Sequence, residues 1–262
     1  YYGVSGSGLV CHTINPRLFR EQIGYIIEHA GDSVIFADLT FLPILEALAD
    51  RLSGMKAIVM MTDEAHMPKS EALPNLACYE TLIAGESDEY DWPVFDENTA
   101  SGLCYTSGTT GDPKGVLYSH RSSVLHAMSS SMPDVLGLSA NDVLSPIVPM
   151  FHVNAWGVPF SGPMAGAKLV MPGPNLDGAS LHALFEAEGV TCTAGVPTVW
   201  LGLLDWMDAH GQRFTSLKRV AIGGSASSPI MISRFHNMGV KVRHAWGMTE
   251  TSPIGLAACL MP

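Results

Sequence analysis

The run Tyr105–Gly115, which reads YTSGTTGDPKG, constrains this chain more than any other stretch. It orders hydroxyls, glycines and a lysine as phosphate oxygens require: backbone N–H groups freed by glycine, short hydroxyl donors and one mobile cation. An apolar stretch, residues 100–105, leads in, and Val116, Leu117 and Tyr118 lead out. A turn between two strands is therefore expected. The spacing is not that of the Walker loop, because no Gly is followed by four residues and then Gly-Lys-Ser/Thr. Residue by residue the run also suits a solvated surface turn; its order favours phosphate.

Strand–helix alternation surrounds the loop. Asn15-Pro16-Arg17 marks a turn into a helix with Phe19, Ile23, Ile26, Ile27 and Ala30 on one face, stopped by Gly31. Strands are expected at 33–37, 57–61, 143–148, 168–171, 191–194, 219–222 and 240–244. Helices are expected at 41–52, 120–136, 181–188 and 197–210, the last opened by Pro197. This alternation predicts an α/β fold of layered, parallel strands. With 262 residues, one large domain or two intimate subdomains are expected, divided as 1–98 and 99–262.

Composition narrows the function class. A hydrophobic content of 47% with only 15% charged residues describes a folded chain, and the net charge of −11 argues against a nucleic-acid surface. Ten acids and one lysine lie in residues 63–97, which reads as an acidic, solvated excursion. Cysteines 11, 78, 104, 192 and 259 form no CxxC pair, so buried thiols in a reducing, cytoplasmic setting are expected. The uncharged run 143–167 holds four prolines and is no membrane helix. Gly6 and Gly8 lack the third glycine of a dinucleotide fingerprint; GxSxG and HExxH are absent.

Further segments carry candidate chemistry. Pro149-Met150-Phe151-His152-Val153-Asn154-Ala155-Trp156-Gly157 follows a strand, where aromatics beside a histidine suit an apolar pocket. Ordinary core packing would explain the same residues. Gly223-Gly224-Ser225-Ala226 would let backbone approach a flat ligand, or would open a helix capped by Ser227 or Ser228 before Pro229. His244-Ala245-Trp246-Gly247-Met248-Thr249-Glu250-Thr251 ends in a polar turn, where a lone Glu250 is ordinarily just solvated.

Together these motifs resemble the adenylate-forming superfamily of acyl-CoA synthetases, luciferases and peptide-synthetase adenylation domains. Residues 105–115 match its phosphate loop at every fixed position. The resemblance implies the layered N-terminal domain of that family, truncated at both ends. It also implies ATP, Mg²⁺ and coenzyme A as co-substrates and cofactor, with a small carboxylic acid as substrate. Thr106, Ser107, Gly108, Thr109, Thr110, Gly111 and Lys114 would hold phosphates. Gly223, Gly224, Ser225, Ala226, His244, Ala245 and Trp246 would hold adenine, with Trp246 in place of the usual tyrosine. Thr249 would meet the α-phosphate, and Glu250, with Thr106, the metal. His152, Val153, Asn154, Trp156, Gly157, Gly247 and Met248 would line the acyl pocket. His152 would lie near the reacting carboxylate.

Among the branches, HTINPRLF, FHVNAWG and AWGMTETSP look most like medium- and long-chain fatty acyl-CoA ligases and 3-methylmercaptopropionate–CoA ligases. His152-Val153-Asn154 offers no acid for an amino acid's ammonium, which disfavours the alternative of an amino-acid adenylation domain. The ribose-binding Tyr-x-Thr-Gly-Asp motif and the C-terminal lysine domain do not occur within these residues. This piece alone is thus expected to be inactive as an acid–thiol ligase, and a noncatalytic nucleotide-binding fragment is the other alternative. A homodimer is expected only on general statistics.

Overall fold

The computed structural model describes residues 1–106 and 111–259, so Ser107, Gly108, Thr109 and Thr110 lie outside the described residues. The chain divides into two compact units: Tyr1–Phe95 with Tyr105–Gly115, and Asp96–Cys104 with Val116–Pro262.

In the first unit, α1 (Tyr2–Gly6) and β1 (Cys11–Thr13) precede α2 (Arg20–Ala30). Helix α2 buries Ile23, Ile26 and Ile27 at helical spacing and ends at Gly31. Phe19, expected on that face, is instead the N-cap and 78% exposed, because it precedes the first helical turn. Next come β2 (Val34–Ala37) and α3 (Leu42–Glu46), then β3 (Ala57–Met60), β4 (Leu76–Cys78) and α4 (Tyr79–Ile83). The three strands pair in parallel in the order β2-β3-β4. The single helix expected over 41–52 is broken: 3₁₀ turns at Leu39–Phe41 and Ala49–Arg51 flank α3. Asp38 caps the first turn through the Thr40 N–H, and Pro43 starts α3 afresh. Leu45, Leu48 and Leu52 are buried all the same, since a 3₁₀ turn still brings every third side chain to one side.

Strands β5 (Ala100–Thr106) and β6 (Lys114–Ser119) are neighbours in one sheet, and each carries residues of both units. Strands are thus present on both sides of the loop, as expected; the turn expected between them falls largely on residues 107–110, outside the described residues.

The second unit continues with α5 (His120–Ser131). Ser119 and Ser122 cap it reciprocally: each hydroxyl accepts the other's backbone N–H, both at 3.1 Å. The helix expected to reach residue 136 stops early, because Pro133 forces Met132 into extended geometry (ψ 151°). Then follow β7 (Val143–Pro146), the short segment α6 (Val153–Trp156), α7 (Val158–Met164), β8 (Lys168–Leu169), α8 (Gly178–Glu188), β9 (Cys192–Gly195), α9 (Pro197–Ala209), β10 (Arg219–Ile222), α10 (Pro229–Asn237), β11 (Lys241–Gly247) and β12 (Ile254–Cys259). They build a six-stranded sheet in the order β12-β11-β10-β9-β7-β8. All neighbours are parallel except β12, which closes one edge antiparallel to β11.

Period-two alternation sends successive side chains of β10 to opposite faces. Val220 and Ile222 join Phe185, Trp200 and Phe235 beneath α8, α9 and α10. Ala221 joins Leu144, Val158 and Ala194 on the other face. Each fully buried large apolar side chain contributes about 1.5–3 kcal/mol, so these two layers supply most of the unit's stability.

One polar cluster ties the sheet at the amino ends of its strands. The Asp142 carboxylate, 6% exposed, is paired with the Arg219 guanidinium and accepts from Thr191 Oγ1 at 2.7 Å and the Ser139 N–H at 2.9 Å. Burial pushes the carboxyl up, but the hydrogen bonds from Thr191, Arg219 and Ser139 outweigh it and hold the group below the ordinary aspartate range. Asp142→Ala, which strands the partly buried Arg219 guanidinium, is expected to cost about 2–4 kcal/mol in chemical denaturation. A folded pKa that is lowered makes the wild-type contribution complete above the ordinary aspartate pKa. It is lost as pH falls through the folded value, so the gap between wild type and variant should close in acid.

Candidate functional site

In the first unit, Thr106 ends β5 and Lys114 begins β6. Across the mouth of the loop, Thr106 Oγ1 donates to the Lys114 carbonyl at 3.4 Å. Lys114 and Gly111 are exposed, whereas Pro113 is buried and anchors the return strand. Tyr105 is fixed just ahead of the loop. Its hydroxyl lies 2.6 Å from His29 Nδ1, and its ring lies 5.2 Å from that of His12. His12 Nδ1 is in turn 2.8 Å from the Asp32 carboxylate. Burial first, then the Asp32 and Tyr25 charges, push the Tyr105 phenol up, so it stays a neutral hydrogen-bonding group.

In the second unit, several sequence-predicted segments meet at the carboxyl ends of β7, β9, β10 and β11. The register Ile222↔His244 brings Gly223 beside Ala245. A Cβ at Gly223 would stand 3.0 Å from the Ala245 carbonyl oxygen and 3.1 Å from Trp156 Cη2. Only glycine leaves both in place. Gly224 carries positive φ (80°), and the Trp156 ring reaches it too. Ser225 and Ala226 are exposed, and Ser228 caps α10 by accepting the Met231 N–H. The glycine stretch therefore opens a helix, one of the two roles the sequence allowed, with Gly224, Ser225 and Ala226 exposed just ahead of it and Gly223 buried.

The segment expected to form a pocket wall has an unforeseen backbone. Val153, Asn154, Ala155, Trp156 and Gly157 all have positive φ, 48° to 74°, a left-handed turn. Each non-glycine residue held this way costs roughly 1–2 kcal/mol, so the surroundings must hold the turn. Val153 packs with Cys104 and Tyr118, with Trp156 alongside. The Cys104 thiol donates to Asn154 Oδ1 at 3.5 Å. Gly157 lies against His126: a Cβ there would stand 2.5 Å from its Nδ1. His152, just before the turn, keeps an exposed edge, and partial desolvation holds its pKa below the ordinary histidine value.

The polar turn after β11 is also locked. A side chain on Gly247 would overlap the Pro253 carbonyl. The Met248 N–H donates to that carbonyl at 3.1 Å and approaches Thr251 Oγ1 at 2.9 Å. Thr249 is buried, and its carbonyl accepts the Tyr118 hydroxyl at 2.5 Å. Burial, then Cys104 and the Glu250 charge, push the Tyr118 phenol far up, so it remains a donor. Trp246 is 56% exposed, and its Cε3–Cζ3 edge occupies the space a side chain on Gly255 would need. Met248 and Glu250 are exposed.

Sequence reading passed over Tyr118, Ser123, His126, Phe160 and Pro253, which with Asn154 and Gly157 line a small pocket behind the left-handed turn. Tyr118 and His126 had no motif to mark them; each matters through contacts remote in sequence. Among the described residues, no group of three or more His, Cys, Asp or Glu side chains gathers as a metal cage. One exposed carboxylate, Glu250, suits an ion that takes its other ligands from phosphate and water. Among the same residues no helix is long and apolar enough to cross a membrane, and Cys11, Cys78, Cys104 and Cys192 form no disulfide.

Comparison with known proteins adds the family. The chain is 58% identical over 258 residues to a medium-chain-fatty-acid–CoA ligase of Ectopseudomonas oleovorans, covering 98% of this chain and 47% of that protein. It is 54% identical to a 3-methylmercaptopropionyl-CoA ligase of Ruegeria lacuscaerulensis, covering 98% and 48%. The crystal structure of an anthranilate CoA ligase in complex with anthranoyl-AMP shares the fold, with a TM-score of 0.84 at 21% identity over 99% of this chain and 49% of that one. The chain spans about half the length of the curated relatives it matches. The sequence pattern of the AMP-binding enzymes runs through residues 1–262, and the chain belongs to that family.

Proposed function

We propose that the complete protein is an ATP-dependent carboxylic acid–CoA ligase. The observation that carries this reading is the seat of Trp156 on Gly223 and Gly224, at the carboxyl ends of parallel strands. A single aromatic wall there borders bare backbone suited to a flat base and a segment suited to an apolar acid. Relatives that act on medium-chain fatty acids and on 3-methylmercaptopropionate support a fatty or short thioether acid as substrate.

In the proposed reaction an oxygen of the acid's carboxylate attacks the α-phosphorus of ATP. The bond to the bridging oxygen breaks, and pyrophosphate leaves with the electron pair. The sulfur of coenzyme A, its proton lost to solvent, then attacks the acyl carbon and expels AMP. No protein nucleophile is needed, so the residues position and neutralise. Lys114 and Thr106, with the loop residues between them, take the phosphate oxygens. The backbone of Gly223, Gly224, Ser225 and Ala226, flanked by His244, Ala245 and Trp246, takes adenine. Thr249 meets the α-phosphate. Glu250 would hold Mg²⁺, which supplies charge neutralisation at the phosphates. His152, kept neutral, offers an imidazole hydrogen bond to the acid, and Val153, Asn154, Trp156, Gly157, Gly247 and Met248 wall its chain.

The test is release of AMP by the complete protein with ATP, Mg²⁺ and coenzyme A, over straight-chain acids and 3-methylmercaptopropionate. Release should depend on the acid and stop when coenzyme A and acid are both omitted; AMP formation indifferent to any acid overturns the reading. Lys114→Ala should lower turnover roughly a hundredfold and raise the KM for ATP, leaving the order of preferred acids unchanged. Tyr118→Phe should cost roughly 1–3 kcal/mol of stability by stranding the Thr249 carbonyl, measured by denaturant unfolding.

A further inference from the structure

The left-handed turn needs a support that no motif supplies, and His126 is placed to be it. The residue lies on the buried side of α5, 8% exposed. Its ring edge, Nδ1 and Cε1, meets the space over Gly157 at 2.5 Å and 2.6 Å from where a Cβ would be. Its Nε2 is buried and has no hydrogen-bond partner among the described residues. The ring therefore contributes shape, not a hydrogen bond. Burial lowers its pKa to about 4, so at neutral pH the ring is uncharged and packs as an apolar group. Above it, Gly157 follows four residues in strained geometry, and the ring of Trp156, the last of them, lies 3.1 Å from where a Cβ on Gly223 would be and 3.9 Å from one on Gly224. If any residue of the turn relaxes to right-handed geometry, the Trp156 ring leaves the glycine pair.

We propose that His126 is a positioning residue: the Nδ1–Cε1 edge of its ring seats Gly157, keeps residues 153–157 left-handed and thereby sets Trp156 over Gly223. The effect on the acid rests on the ligase reading above; the effect on the turn does not. The seat predicts that His126→Phe, which keeps a flat ring and removes both nitrogens, preserves the turn, whereas His126→Ala releases it.

Two measurements on the complete protein decide this. The first is amide hydrogen exchange at residues 153–157, with α8 and α9 as an internal control of folding. His126→Ala should speed exchange in the turn about tenfold or more while α8 and α9 stay protected, and His126→Phe should stay near wild type. Unchanged exchange in the turn of His126→Ala, or equal acceleration in α8 and α9, overturns the proposal. So does release of the turn in His126→Phe with α8 and α9 intact. The second is a cycle with Trp156→Ala on acid-dependent AMP release. His126→Ala should raise the KM for the acid about tenfold, and should add little once Trp156 is gone. Fully additive effects overturn the link to Trp156. A wild-type protein with no acid-dependent AMP release sinks the ligase reading instead, and the exchange data still judge the seat.

Discussion

Lack of room for a side chain at Gly223 governs the geometry of the second unit. Parallel pairing of β10 and β11 brings their carboxyl ends together, so a Cβ on the residue after β10 would stand 3.0 Å from the Ala245 carbonyl oxygen. An indole then lies over the same spot from a different part of the chain. Any larger residue would have to displace a backbone carbonyl in a sheet or a large ring, neither of which yields cheaply. The bare backbone is thus a product of sheet register, and the left-handed turn, the Tyr118–Thr249 hydrogen bond and the Gly247–Pro253 contact all hold other segments to that frame.

Much of the fold was legible because its signals are local. Apolar strands, Pro197 at a helix start and the hydroxyl–glycine–lysine order of residues 105–115 depend on near neighbours. Where expectation failed, a local signal was outvoted or misphased. Pro133 cut α5 short and Pro43 restarted α3, while the leucine spacing that suggested one long helix survived in 3₁₀ turns. Phe19 missed the apolar face by one position.

The candidate segments stand out by motif, but their conformation does not. Nothing in Val-Asn-Ala-Trp announces left-handed backbone; only Gly157 and Asn154 tolerate it readily, and the rest is imposed by packing. Tyr118 serves Thr249 from 131 residues away, a relation that periodicity does not encode. His126 sits in the middle of a helix whose apolar pattern is weak, so its burial beneath Gly157 follows only from the tertiary arrangement.

The Asp142, Thr191 and Arg219 cluster has a consequence for how such a chain can change. These residues stand at the starts of β7, β9 and β10, whereas Trp156, Gly223 and Ala245 lie at or past the finishing ends of strands. The sheet is thus clamped along one rim and furnished along the other. Substitutions at the furnished rim can reshape what is recognised without removing a clamp bond, because Asp142 bonds to Ser139, Thr191 and Arg219 and not to Trp156, Gly223 or Ala245. A protein built so can diversify its ligands while keeping one scaffold.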